Sequence, residues 1–226
     1  MKRVARTAIL LAAASLLTAT APKTVGWNHT VALTPDGHLI GNPDAKVRLV
    51  EYVSYTCADC ATFLIQSDGA LQIGYVSSGK LSIEVRHLVQ GPVDLAAAML
   101  ADCGTPDKFA LNHAALMRSQ NRWRETFARA GNAQKQRWIS GSLLSRGHAI
   151  ADDMGFYAVM ESRGYDRSAT DACLGDQRLA NRIGEQSKAG YASGVKTPPS
   201  FTINGTLLDK AHSWAELRPQ IDASLK

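Results

Sequence analysis

Two apolar stretches early in the chain have the pattern of neighbouring strands. "KVRLVEYVSY" (46–55) is a nearly continuous run of β-branched and aromatic residues, which is typical of a buried strand. "KLSIEVRHL" (80–88) alternates as a second strand, and the segment from Cys57 to about Tyr75 between them has helical spacing. The order strand, helix, strand predicts a parallel pair joined by a right-handed crossover.

A long helical block separates these strands from the end of the chain. Residues 93–191 have helical spacing and no strand pattern, and so long a segment is not expected to be a structureless loop. "PSFTING" (199–205) then predicts a strand that ends in an Asn-Gly turn and pairs with the next five residues. The last residues (213–226) predict an amphipathic helix, with Ser213 as N-cap and Glu216 completing a capping box.

A short hairpin is predicted ahead of the first buried strand. Residues 25–33 alternate loosely, "TPDG" (34–37) has the composition of a tight turn, and residues 38–40 return as a short strand. Residues 22–44 are therefore expected to form an N-terminal hairpin extension.

The first 21 residues have the three-part pattern of a secretory signal peptide. A basic start is followed by an apolar stretch (8–17), too short for a typical membrane span, and by small residues (19–21). Pro22 is unfavourable directly after the cleavage point, so cleavage elsewhere and retention as an anchor both stay open. A buried N-terminal helix is the competing interpretation. The pattern predicts a periplasmic or other extracytoplasmic location.

Net charge gives no indication of nucleic-acid binding. The 226 residues carry a formal charge of +5, and three of the positive charges lie in the predicted signal segment. No block of Lys and Arg remains beyond that segment, so we expect no nucleic-acid partner. The remaining chain is long enough for one domain with an insertion.

Two closely spaced cysteines are the main candidates for chemistry. Cys57 follows the buried strand and should begin a helix, where backbone N–H groups and the helix dipole favour a thiolate. Cys60 lies one turn further and could close a reversible disulfide. Haem attachment is excluded because Ala61 stands where a histidine is required. Zinc binding and an inert structural bridge stay as alternatives, although no second closely spaced pair is present. We expect no metal and no diffusible cofactor.

Together, these segments resemble a known family. "GNPDAKVRLVEYVSYTCADC" (41–60), the helical block and "GVKTPPSFTING" (194–205) are similar to the DsbA-like branch of the thioredoxin superfamily, exported thiol–disulfide oxidoreductases. The resemblance implies an α/β thioredoxin fold with a helical insertion domain. The thioredoxin-like domain would comprise residues 45–92 and 192–226, and the insertion residues 93–191.

The resemblance also implies roles for residues outside the cysteine pair. Pro199 would be the cis-proline beside the cysteines, with Thr197 and Pro198 in the peptide groove. Glu51 would be a buried acid that accepts the proton of Cys60. From the sequence pattern alone, Glu51 could equally face outward from an edge strand.

Two features depart from the strongly oxidising relatives. Ala58 and Asp59 stand between the cysteines, where those relatives carry Pro-His. The Asp59 carboxylate should disfavour a Cys57 thiolate and so weaken oxidising power. Pro198 has no N–H and therefore offers one hydrogen bond fewer to a substrate peptide. Both features argue against a role of this protein as a general oxidant.

Two further cysteines lie in the helical block. Cys103 and Cys173 would be either two buried thiols or a structural disulfide, and the oxidising compartment and the resemblance favour the disulfide. His87, His113 and His148 have no partners at metal-ligand spacing and are interpreted as core or surface residues.

We expect an enzyme that exchanges disulfides with extracytoplasmic proteins through Cys57 and Cys60. Its substrates would be protein thiols and disulfides, and its redox partner a membrane protein. No dimerisation segment precedes the catalytic part, so a monomer is expected. A reductase or isomerase of the same fold, and a non-catalytic peptide-binding or metal-binding protein, are the alternatives.

Overall fold

A six-stranded mixed sheet runs through the computed structural model, which describes residues 26–226. Its strands are β1 (Val31–Leu33), β2 (His38–Gly41), β3 (Val47–Val53), β4 (Leu81–His87), β5 (Ser200–Ile203) and β6 (Thr206–Leu207). Their order across the sheet is β1-β2-β4-β3-β5-β6. The predicted signal peptide lies outside the described residues.

Helices connect β3 to β4 and β4 to β5, and a last helix follows β6. They are α1 (Ala58–Ala70), α2 (Pro92–Ala101), α3 (Phe109–Arg129), α4 (Asn132–Ile139), α5 (Leu143–Met154), α6 (Phe156–Glu161), α7 (Arg167–Leu174), α8 (Gln177–Ala192) and α9 (Trp214–Ser224). A π-helical segment (Leu71–Val76) continues α1. Between β4 and β5 the described chain has no strand, which confirms the predicted helical insertion. None of the described helices has the length and apolarity needed to span a membrane.

Strand β3 lies inside the sheet and carries Glu51. It pairs in parallel with β4, as predicted, and antiparallel with β5, so that Glu51 is opposite Val85 on one side and Phe201 on the other. Six of the seven residues of β3 are buried. The alternative in which Glu51 faces outward from an edge strand is therefore wrong, because strands cover both edges of β3.

The N-terminal hairpin is part of the same sheet. Strand β1 pairs with β2, and β2 pairs antiparallel with β4. The Thr34 N–H donates to the Gly37 carbonyl over 2.8 Å and closes the predicted turn. The first strand is shorter than predicted, because Trp27–His29 forms a 3₁₀ turn before it.

A continuous apolar core joins the sheet to the insertion. Phe63 of α1 packs on Phe201 of β5, with ring centroids 4.6 Å apart. Trp123 of α3 packs edge-on against Phe156 of α6 within the same buried cluster. Burial of these large side chains is the main stabilising contribution that fixes the insertion against the sheet.

The predicted cap of α9 is present with one difference. The Ser213 hydroxyl accepts from the Glu216 N–H over 3.4 Å, as in a capping box. The Glu216 carboxylate accepts from the N–H of His212 (3.0 Å) and from the Ser213 hydroxyl (2.8 Å), and not from the Ser213 N–H. This contact fixes the backbone of His212, which bears on the site described below.

Candidate active site

The two closely spaced cysteines begin helix α1 and differ in exposure. Cys57 is the N-cap residue and is half-buried, whereas Cys60 is 0% exposed. The Cys60 N–H donates to the Cys57 Sγ over 3.2 Å, and that Sγ donates to the Pro198 carbonyl over 3.4 Å. A reagent from solvent can therefore reach Cys57 but not Cys60.

The same contacts separate the acidities of the two thiols. The hydrogen bond from the Cys60 side chain lowers the pKa of Cys57, and the backbone N–H groups of Cys60 and Asp59 act in the same direction. Partial burial and the Asp59 charge oppose this lowering. Burial raises the pKa of Cys60, and the hydrogen bond to Cys57 adds to that effect. The reduced site therefore holds its negative charge on Cys57.

The peptide bond between Pro198 and Pro199 is cis and lies beside Cys57. Thr197, the third predicted groove residue, is exposed, and its carbonyl accepts a hydrogen bond from the Ser200 hydroxyl. The structure thus brings this turn and the helix of Cys57 together, as the sequence resemblance implies.

Glu51 lies beneath the site at the base of a cavity. The residue is buried, with 6% of its surface exposed. The cavity, of about 380 Å³, is lined by Glu51, Phe63, Asp68 and His113 among others. Burial raises the pKa of Glu51 to about 8, and the Asp68 charge contributes to the rise. Glu51 can therefore hold a proton at neutral pH and exchange it with the cavity.

The two residues between the cysteines lie in the first turn of α1. Ala58 is half-buried, and Asp59 is exposed. The Asp59 charge raises the pKa of Cys57, in the direction expected from the sequence, while its own N–H lowers that pKa.

An aspartate of the insertion holds the loop before Cys57, and the sequence analysis missed it. The Asp94 carboxylate accepts from the Tyr55 N–H (2.7 Å), the Ser54 hydroxyl (2.6 Å) and the Gln90 N–H (2.8 Å). Burial raises the pKa of Asp94. The only sequence signal is an acid in the first turn of a helix, and that is typical of ordinary helices.

A second residue of the insertion contacts the same loop. The buried Gln120 side chain on α3 donates to the carbonyls of Tyr55 and Cys57, both over 2.8 Å. One amide therefore contacts two backbone carbonyls around the start of α1, and the Cys57 carbonyl also accepts from the Ala61 N–H over 3.4 Å. No local pattern distinguishes Gln120 from the other polar residues of α3.

Cys103 and Cys173 are joined by a disulfide. It links the residue after Asp102 to helix α7 and closes a loop with a sequence separation of 70. The pairing is the one favoured by the sequence analysis.

The interpretation of His87 as a residue without partners needs correction. The sheet places His38 and His87 beside Asp102, with ligand atoms within 4.8 Å of one another, and all three are buried. His87 Nε2 lies 2.8 Å from Asp102 Oδ1, and Arg182 lies 3.2 Å from Oδ2. The Arg182 guanidinium already supplies a cation to this carboxylate, so the group is an ion-pair network.

The other two histidines have single polar partners. His113 is buried and shares a hydrogen bond of 2.8 Å with the Tyr55 hydroxyl, and burial lowers its pKa to about 3. His148 is partly exposed and lies 3.0 Å from Asp171. Both fit the interpretation as core and surface residues.

The arrangement defines the class of protein. A central strand leads into a helix that begins with a dithiol, and a cis-proline turn faces the first sulfur; this is the thioredoxin fold with a redox-type site. A family model described as Thioredoxin matches residues 33–223, and the chain belongs to this family.

Comparison with known proteins narrows the relationship. The structure is similar to the protein-disulfide isomerase of Novosphingobium aromaticivorans, with 47% identity, a TM-score of 0.81, and coverage of 84% of this chain and 98% of that one. Wolbachia pipientis alpha-DsbA1 shares the fold, with a TM-score of 0.65, 20% identity, and coverage of 88% and 96%.

A curated relative from Rickettsia bellii, provisionally named a protein-disulfide oxidoreductase, is 27% identical over 81% of this chain. The match covers 63% of that relative's length.

Proposed function

We propose that the protein is an exported thiol–disulfide oxidoreductase that acts on protein thiols and disulfides. The observation that carries the proposal is the asymmetry of the two thiols. Cys57 is accessible, and its sulfur receives a hydrogen bond at a helix N-terminus, whereas Cys60 is buried. Relatives described as a protein-disulfide isomerase and as a protein-disulfide oxidoreductase support this chemistry.

The exchange proceeds through a mixed disulfide. A client thiolate attacks Cys57 of the Cys57–Cys60 disulfide, forms a client–Cys57 bond and releases Cys60 as a thiolate that takes up a proton. A second client thiolate then attacks the client sulfur of that bond and releases the Cys57 thiolate. The client loses two electrons and forms a disulfide, and the protein gains both electrons. A redox partner, which we propose to be a membrane protein, restores the Cys57–Cys60 disulfide.

In this scheme, Glu51 exchanges a proton with the sulfur of Cys60. When Cys60 leaves the disulfide, protonated Glu51 supplies a proton, and when Cys60 attacks the mixed disulfide, ionised Glu51 accepts one. A carboxyl group with a pKa raised to about 8 has both forms available near neutral pH. We propose that the proton moves between Glu51 and solvent through the cavity that Glu51 lines, so the apolar core does not have to rearrange.

An isomerase or reductase is the second candidate. The 47% identical relative is described as a protein-disulfide isomerase. Two features of this chain favour that direction: the Asp59 charge opposes the Cys57 thiolate, and Pro198 offers no N–H to a client peptide. A less stable Cys57 thiolate makes the disulfide form less oxidising, and rearrangement of wrong disulfides needs the reduced form.

Export and domain organisation belong to the same proposal. The signal-peptide pattern of residues 1–21 and the Cys103–Cys173 disulfide are typical of an oxidising compartment. We propose a thioredoxin-like domain at residues 45–92 and 192–226, a helical insertion at 93–191, and a monomer. Cell fractionation with mass measurement of the mature N-terminus tests the location.

Two serine variants test the proposal directly. Cys57→Ser should abolish thiol–disulfide exchange, while Cys60→Ser should accumulate mixed disulfides with client proteins, because the resolving thiol is missing. Electrophoresis without reductant shows the trapped species. If Cys57→Ser traps clients and Cys60→Ser does not, the assigned roles are reversed. Refolding of a reduced and of a scrambled disulfide protein then separates oxidase from isomerase activity.

A further inference from the structure

Among the described residues, the side-chain hydrogen bonds to the backbone of the cis-proline turn (197–199) all go to its carbonyl oxygens. Two consecutive prolines leave positions 198 and 199 without N–H donors. Three successive carbonyls of this turn each accept from a side chain: Thr197 from the Ser200 hydroxyl (2.5 Å), Pro198 from the Cys57 thiol (3.4 Å) and Pro199 from the His212 ring (3.0 Å).

One of these three donors is lost in the reaction cycle. A Cys57 thiolate, or a Cys57 sulfur in a disulfide, has no proton to donate to the Pro198 carbonyl. In those states Ser200 and His212 are the side-chain donors that remain on the turn. The position of the turn during exchange therefore depends on residues outside the dithiol.

His212 is itself fixed by the cap of α9. Its N–H donates to the Glu216 carboxylate over 3.0 Å, and that carboxylate also accepts from the Ser213 hydroxyl. Its Nδ1 faces a carbonyl oxygen, which can only accept, so Nδ1 carries the proton. His212 is exposed and Pro199 is buried, so this imidazole connects the solvent-facing loop to the base of the turn.

We infer that His212 is a positioning residue for disulfide exchange with peptides. It holds the Pro199 carbonyl and so keeps the Pro198 carbonyl in place beside Cys57 when the thiol contact is absent. The inference rests on the proposed function, since it matters only if a peptide is bound across this turn during exchange at Cys57.

The test compares a peptide with a reagent that does not use the turn. His212→Ala should slow exchange with a dithiol peptide about three- to tenfold, which is the effect of one hydrogen bond. Alkylation of Cys57 by iodoacetamide should stay unchanged. His212→Asn should restore peptide exchange to within about twofold, because an Asn amide N–H lies close to the position of Nδ1. His148→Ala, an imidazole of the insertion, is the matched control. If His212→Ala does not fold, peptide exchange is compared between His212→Leu and His212→Asn. These two side chains are similar in size, and only Asn has an N–H donor.

The possible outcomes distinguish a failure of the His212 inference from a failure of the proposed function. An active wild-type protein with unchanged peptide exchange in His212→Ala would overturn the inference alone. Equal slowing of peptide exchange and alkylation would also overturn it, because the effect would then lie on the thiol itself. A lower melting temperature with normal exchange would assign His212 a structural role only. A wild-type protein without exchange activity would overturn the proposed function, and this inference with it.

Discussion

The N–H of Cys60 donates a hydrogen bond to the Sγ of Cys57 over 3.2 Å, and this contact stabilises a negative charge on Cys57. The contact is made within one helical turn and exists because Cys57 is the N-cap residue of α1. The hydrogen bond from the Cys60 side chain lowers the pKa of Cys57 most, and this N–H acts in the same direction, whereas burial raises the pKa of Cys60.

The first prediction concerns selective alkylation. In the reduced protein, iodoacetamide should modify Cys57 at a pH below the ordinary thiol range and leave Cys60 unmodified. Since the pKa of Cys57 is lowered on folding, the reduced form should gain stability relative to the unfolded chain as pH rises through the pKa of Cys57 in the folded protein. Peptide mapping identifies the labelled cysteine, thiolate absorbance against pH gives the direction of the Cys57 pKa shift, and urea unfolding at several pH values measures the stability. Preferential labelling of Cys60 would contradict the assigned roles.

Removing the charge of Asp59 should make the protein more oxidising. At about 6 Å and an effective dielectric near 20, its repulsion with the Cys57 thiolate is on the order of 3 kcal/mol, and exposure reduces this to about 1 kcal/mol or less. Because about 1.4 kcal/mol corresponds to 30 mV, Asp59→Asn should raise the reduction potential by about 20 mV or less. Asp59→His should lower the Cys57 pKa further. Equilibrium with glutathione is the measurement, and Asp59→Glu, which keeps the charge, is the control. An unchanged potential in both Asn and His variants would show that Asp59 does not set it.

Replacing Glu51 should change both a rate and a pH dependence. Glu51→Gln should slow the step in which Cys60 attacks the mixed disulfide and leave alkylation of Cys57 unaffected. In the wild type, the rate of that step should depend on pH with a midpoint near 8, and the dependence should disappear in the variant. Rapid-mixing kinetics of mixed-disulfide release measures this. If the pH midpoint near 8 persists in Glu51→Gln, the pH dependence belongs to another group.

The raised pKa of Glu51 also makes the free energy of unfolding depend on pH. Its pKa is raised from 4.5 to about 8, so the folded state holds a proton that the unfolded chain releases between these values. Wild-type stability should therefore fall as pH rises through that window, by up to about 1.4 kcal/mol for each pH unit. Urea unfolding of wild type and Glu51→Gln should converge near pH 4 and differ most above about pH 8, with the variant more stable.

Gln120 should be required for the geometry of the dithiol loop. Gln120→Ala removes the side-chain donor to the Tyr55 carbonyl and leaves the Cys57 carbonyl with only the 3.4 Å contact from the Ala61 N–H. The variant should lose about 1–3 kcal/mol of stability. Peptide exchange should slow at temperatures where the variant is folded. Gln177→Ala, which removes an exposed contact with Asn181, is the matched control and should have little effect. Equal effects of the two variants would refute a specific role.

The Cys103–Cys173 disulfide should stabilise the insertion without taking part in exchange. Replacing both cysteines by Ala should cost about 4 kcal/mol for a loop of this length. The rate of Cys57 alkylation should be unchanged. Peptide mapping without reductant should show the linked fragment in protein from the exported compartment, and two free thiols there would contradict the pairing.

The sequence by itself determined the features that depend on local order. The buried strand 46–55, the dithiol at the start of a helix, the Asn-Gly turn and the cap of α9 each involve residues a few positions apart. The backbone hydrogen bonds and side-chain alternation of these features involve residues close in sequence, so the sequence pattern alone predicts the features. The environment of the Cys57 thiolate is local in the same sense, because its donor is three residues away.

Only the tertiary structure decided which distant groups meet at that helix. Cys57 contacts the Pro198 carbonyl across 141 residues of chain, and Gln120 reaches the Cys57 carbonyl across 63. Glu51 could be placed inside the sheet only once β5 was seen to pair with β3 on the side opposite β4. Such contacts follow from strand order and from packing of the insertion on the core. A polar residue destined to satisfy a buried backbone group has the same local pattern as one that faces water.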